Sequence, residues 1–215
     1  MQRTRVKICG LTRLSDIAEA VAHGADALGF VFYPPSPRAL ELESAVTLMA
    51  QVPAFVTKVG LFVNDSETRI REHLARLPID LLQFHGDESG DFCSSFGCPW
   101  IKAARVGEGF DLLEFSQQYS RFPGIVGVLA DACVDGFGGS GKTFDWSLVP
   151  EDLPLPLILS GGLTSSNVEE AIRIVKPWAV DVSSGVEPVG GPKGVKCAQE
   201  IQRFLAGVHH ADEAN

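Results

Sequence analysis

The chain has 215 residues, 45% of them apolar and 21% charged, the composition of a globular protein with material for one sizeable core. Its net charge of −9 excludes nucleic acid as a general partner, since that would call for a basic face, and gives no long-range attraction to an anion, so any anion site must be built locally. The five cysteines are odd in number and irregularly spaced, which excludes a disulfide framework and fits thiols in a reducing compartment.

The N-terminal residues run straight into a short apolar segment without a signal-peptide core, and no apolar stretch approaches the ~20 residues of a membrane span. A cytoplasmic protein with no membrane partner is expected. In chain order, the run 5–10 reads as a strand and 15–23 as a helix, with Ile17, Ala18, Val21 and Ala22 at helical spacing. Strand 27–32 precedes helix 43–51, strand 58–63 precedes helix 66–76, and strand 80–85 precedes helix 88–96. Strand 100–105 and helix 110–119 follow, then strand 125–131 and a single helical turn near Trp146. Strand 157–160, helix 166–175, strand 179–183 and helix 195–204 complete the order.

Most of the eight strand runs are nearly all apolar, as parallel strands buried on both faces are. Strands alternating with helices imply an α/β protein with a parallel sheet. Eight units at about 27 residues each make a compact (β/α)8 TIM barrel. An open doubly wound sheet is the alternative, but it would carry a glycine fingerprint after the first strand, where this chain has Gly10-Leu11-Thr12. No linker divides the chain. A single domain over 1–206 is expected, with a small, polar, flexible tail over 207–215.

In such a barrel the chemistry sits at the C-terminal ends of the strands. Cys9 ends the first strand, His85 the fourth and Asp131 the sixth. A thiolate is a competent base when its surroundings favour it, and a carboxyl kept protonated serves as an acid. Equally, Cys9 is of a type often buried as a small hydrophobe, and Asp131 of a type that caps helices or forms turns. Gly161-Gly162 and Ser183-Ser184-Gly185 follow the last two strands, where barrels frequently hold a phosphate on main-chain amides. Arg38 ends a proline-stiffened loop and is placed either to clamp a carboxylate or to lie on the surface. The glycine-rich run 135–142 reads as a loop that moves over a substrate or folds against it.

At these residues the chain resembles the phosphoribosylanthranilate isomerases of tryptophan biosynthesis. The resemblance is carried by Val6-Lys7-Ile8-Cys9-Gly10-Leu11-Thr12, Gly29-Phe30-Val31-Phe32, Gly60-Leu61-Phe62-Val63-Asn64 and Gln83-Phe84-His85-Gly86. It continues through Asp131, the run 138–146, Ser160-Gly161-Gly162-Leu163 and the run 180–187, all in family order. It implies an Amadori rearrangement of N-(5-phosphoribosyl)anthranilate without metal or cofactor. Asp131 would be the general acid, Cys9 the general base and Arg38 the ligand of the anthranilate carboxylate. His85 would line the substrate site, and the last two strand loops would hold the phosphate. The chain departs from the family pattern at Lys193-Gly194, where a Lys-Asp pair is usual, and at Phe84, where a smaller aliphatic residue is common. The partner implied is a small phosphosugar, and a monomer is the default state, with a dimer as the alternative. The rival functions are the histidine-pathway ribosylamine isomerase, disfavoured by the absence of a half-chain repeat, and a phosphosugar-binding barrel without catalysis.

Overall fold

Apolar and β-branched residues in short runs favour strands that are covered on both sides, and the turn residues between them set the breaks. The computed structural model describes residues 3–132 and 144–214. The elements are β1 (Arg5–Cys9), α1 (Leu14–Ala22), β2 (Ala27–Val31), α2 (Leu42–Met49), β3 (Thr57–Phe62), α3 (Glu67–Arg76), β4 (Leu81–Phe84) and α4 (Gly90–Ser94). They continue with β5 (Trp100–Val106), α5 (Leu112–Ser120), β6 (Ile125–Ala132), a one-turn 3-10 helix (Trp146–Leu148), β7 (Leu157–Leu159) and α6 (Val168–Val175). β8 (Ala179–Val182), a second 3-10 turn (Ser184–Val186) and α7 (Ala198–Ala214) end the chain.

All strand pairs are parallel and run in chain order, and β8 closes on β1. The closed barrel therefore replaces the open-sheet alternative. Alternation along each strand divides the core. Val6 and Ile8 of β1 join Leu28, Phe30, Phe62 and Phe84 in the main cluster, which includes helix residues such as Ile17, Ile70 and Ile172. Ile101, Ala103, Leu129, Ile158 and Ala179 form a separate cluster drawn from β5 to β8. Cys9, Val31, Leu61 and Val63 form another at the C-terminal ends of β1 to β3.

Helix starts follow capping chemistry. The side chains of Ser66, Ser89 and Asp111 accept hydrogen bonds from the backbone N–H of Arg69, Phe92 and Glu114 respectively. Phe84 is fully buried among Phe92, Phe96 and Trp100, with ring centroids 6.2, 5.8 and 6.1 Å away. Its ring packs through edge and tilted contacts with all three.

The flexible tail expected over 207–215 is corrected. α7 continues to Ala214, and Val208 and Ala211 are buried in the core. The apolar spacing of Ile201, Phe204, Leu205, Val208 and Ala211 keeps one helix face on the barrel. The Asp212 carboxylate accepts from the backbone N–H (2.9 Å) and hydroxyl (2.7 Å) of Thr4, tying the helix end to the start of β1. Helix α4 is also shorter than the 88–96 expected, because Glu88 turns inward to an ion pair with Lys102 at 3.0 Å. Among the described residues no helix is long and apolar enough to cross a membrane.

Candidate active site

The C-terminal ends of the strands surround one cavity of about 330 Å³. Cys9, Arg38, His85, Asp131, Gly161, Gly162, Ser183, Ser184 and Gly185 all line it. The structure thus gathers every site residue expected from the sequence. The glycine-rich run 135–142 lies outside the described residues.

Two glycines let the rim close. Gly161 has φ +84°, and a Cβ there would stand 2.5 Å from the backbone nitrogen of Ala132 and 2.9 Å from Oδ1 of Asp131. A Cβ on Gly185 would stand 1.8 Å from the carbonyl oxygen of Leu163. The loop after β8 therefore rests directly on the loop after β7, and their main chains form a continuous small-residue edge on the cavity.

Asp131 is buried near the end of β6. Its Oδ1 accepts from the backbone N–H of Ala132 at 3.0 Å, and its Oδ2 lies 3.2 Å from Nε2 of His85. Gln83, two residues before His85, donates from Nε2 to Nδ1 of His85 at 3.0 Å. That leaves the ring proton on Nε2, facing Asp131. The Oε1 of Gln83 is buried without a hydrogen-bond partner among the described residues, and Gln83 lines the cavity.

Cys9 is buried at the end of β1. Burial pushes its thiol above the ordinary value, the Lys7 and Lys196 ammonium groups pull it back, and the charge of Asp181 adds to the rise. Lys7 donates from Nζ to Oδ1 of Asp181 at 2.8 Å. Burial alone would lower Lys7, but Asp181 and Cys9 outweigh it and hold the ammonium above its ordinary value.

At the mouth, Arg38 is buried and donates from Nε and Nη2 to the two oxygens of Glu187, at 2.8 and 3.0 Å. Lys196 donates from Nζ to Glu187 Oε1 at 3.0 Å and to the carbonyl of Ser183 at 2.9 Å. Burial pushes the Glu187 carboxyl up, yet Arg38 and Lys196 together hold it below its ordinary value. Two cations on one carboxylate leave a local positive charge, which the net charge of −9 does not supply. The Lys193-Gly194 departure has its reason here. Gly194 has φ +82°, a Cβ on it would stand 3.0 Å from the Pro37 carbonyl, and its N–H donates to Glu187 Oε1 at 3.2 Å.

Sequence reasoning assigned no role to Lys7, Gln83, Asp181, Glu187 or Lys196. The signal for two of them was present: Asp181 is the one charge in the run Ala179–Val182, and Lys7 stands between apolar Val6 and Ile8 in β1.

Residues 6–206 match the family described as N-(5'phosphoribosyl)anthranilate (PRA) isomerase. The chain belongs to that family. The N-(5'-phosphoribosyl)anthranilate isomerase of Dechloromonas aromatica is 52% identical, over 99% of this chain and 99% of that protein. That of Chromohalobacter salexigens is 53% identical over 98% of this chain and 96% of its own. The crystal structure of phosphoribosyl anthranilate isomerase from Thermotoga maritima superposes with a TM-score of 0.87 at 40% identity, covering 96% of this chain and 99% of that one. A phosphoribosyl anthranilate isomerase solved in complex with reduced 1-(o-carboxyphenylamino)-1-deoxyribulose 5-phosphate superposes with a TM-score of 0.83 at 37% identity, with the same coverage. The chain's own barrel is closed, with eight strands, all parallel.

Proposed function

We propose that this chain catalyses the Amadori rearrangement of N-(5-phosphoribosyl)anthranilate to 1-(2-carboxyphenylamino)-1-deoxy-D-ribulose 5-phosphate, with Asp131 as general acid and Cys9 as general base. The observation that carries this reading is that a buried thiol on β1 and a buried carboxyl on β6 line one cavity with a glycine-serine rim. Asp131 gives a proton to the furanose ring oxygen. The C1–O bond breaks as the nitrogen lone pair forms the protonated Schiff base. The Cys9 thiolate then takes the proton from C2, and the electron pair of that C–H bond moves to make the enolamine, which tautomerises to the ketone. Both steps are proton transfers, which positioned groups can supply without a metal or cofactor.

The remaining residues bind. Main-chain amides at Gly161, Gly162, Ser183, Ser184 and Gly185 hold the phosphate. Arg38, with part of its guanidinium engaged by Glu187, uses its remaining N–H groups on the anthranilate carboxylate. His85 orients Asp131 and lines the sugar site, and the Gln83 Oε1, without a partner among the described residues, is an acceptor for a sugar hydroxyl. The relative solved with a reduced carboxyphenylamino-deoxyribulose phosphate supports a ligand of this shape. The reading places the enzyme in the cytoplasm as a monomer; sedimentation showing a stable dimer would revise the second point.

The deciding experiment follows the loss of fluorescence of freshly made phosphoribosylanthranilate. Wild type should turn it over. Cys9→Ala and Asp131→Asn should each slow turnover by about 10²–10⁴-fold with unchanged circular dichroism. A folded double variant with full activity would remove the assignment.

A further inference from the structure

Lys7 and Asp181 stand side by side across the β1–β8 seam, in register and joined at 2.8 Å. Both are 5% exposed. A buried ion pair is a weak source of stability, because removing two charges from water offsets their attraction and an apolar pair of similar volume serves as well. The pair therefore invites a reason beyond folding, and its surroundings give one. Cys9 lies two residues after Lys7 on the same strand, so the two side chains leave β1 on the same face. Gly29 of β2 is in register with Cys9. The space a Cβ would take on Gly29 is flanked by Cys9 Sγ at 2.8 Å and Lys7 Cε at 3.1 Å. A glycine at this position lets the sulfur and the end of the lysine side chain share that space.

We propose that Lys7 is a positioning residue for the Cys9 base: its ammonium, anchored by Asp181, holds the negative charge left on the sulfur when the thiol gives up its proton, and Asp181 competes with that sulfur for it. This rests on the reading of Cys9 as the base. Lys7 does not line the cavity and acts only through Cys9. Among the described residues, the other charged or titratable groups facing the sulfur are Asp181 on β8 and Lys196 ahead of α7. Arg38, His85 and Asp131 stand around the same cavity, after β2, after β4 and on β6. From β3 the neighbours are apolar, Leu61 and Val63.

The arrangement gives the two partners opposite effects. Without Lys7 the sulfur keeps a carboxylate neighbour and loses its cation, so the thiolate becomes harder to form. Without the Asp181 charge the ammonium serves the sulfur alone, so the thiolate becomes easier to form. A pair that only braced the barrel would not give shifts of opposite sign.

The test measures the rate of Cys9 alkylation by iodoacetamide against pH in the full chain, read by mass spectrometry of the Cys9 peptide. Lys7→Met should move the midpoint up by about one unit or more and slow alkylation near neutrality about tenfold, with kcat falling more than KM rises. Asp181→Asn should move the midpoint down, and Lys7→Arg should restore most of the wild-type profile. A folded Lys7→Met with an unmoved midpoint, or both variants shifting in one direction, would overturn the proposal. Lys7→Gln takes the place of Lys7→Met should the latter fail to fold, with the same expectation. Alkylation reads the thiol whether or not it takes part in turnover. A fully active Cys9→Ala chain would thus sink the base assignment separately from the charge relation tested here.

Discussion

Arg38 and Glu187, 149 residues apart in the chain, form a two-pronged ion pair that fastens the loop after β2 to the segment after β8. The guanidinium is thereby held at the cavity mouth in one orientation, where a mobile arginine would lose more rotamer freedom on meeting a carboxylate.

Replacing that arginine should cost binding before it costs chemistry. Arg38→Met is expected to raise KM for phosphoribosylanthranilate about tenfold or more while lowering kcat less. Steady-state kinetics with the fluorescence assay checks it; an unchanged KM would mean that Arg38 does not meet the anthranilate.

Glu187 should contribute to stability in a pH-dependent way. Its folded carboxyl titrates below the ordinary 4.5, so its contribution is complete above that value and is lost as pH falls through the lower, folded one. Glu187→Gln, which leaves Arg38 and Lys196 without their shared counter-ion, should lower the urea midpoint at pH 7. The difference from wild type should narrow as the pH is taken below 4.5. A gap that stays constant through that range would show that the carboxylate charge is not what holds the two cations.

The contact between the last two loops is a sharp steric prediction. Gly185→Ala places a methyl group 1.8 Å from the Leu163 carbonyl oxygen unless the backbone moves. We expect a loss of about 1–3 kcal/mol in urea unfolding and a larger effect on KM than on kcat, because the displaced amides are those assigned to the phosphate. Wild-type stability together with wild-type KM would contradict the closeness of the two loops.

The end of the last helix should be structural. Deleting 207–215 removes buried Val208 and Ala211 and the Asp212 bonds to Thr4, and should cost about 3 kcal/mol or more. Urea unfolding of the truncated chain measures it. A truncation without effect would restore the expectation of a flexible tail.

Read alone, the sequence settles the alternation of strands and helices, because apolar runs and helical spacing are local patterns that survive in one dimension. It also places Cys9, His85 and Asp131 at strand ends, since each follows directly on an apolar run. Even the extension of α7 was written in the spacing from Ile201 to Ala211, although small and polar neighbours masked it. The pairing of charges was not legible. Lys7 meets Asp181 and Arg38 meets Glu187 only because β8 closes on β1 and carries the segment after it to the mouth. Which cation neutralises which carboxylate depends on distances of a few ångströms across the barrel seam, and electrostatic attraction between buried groups is set by those distances, not by separation along the chain.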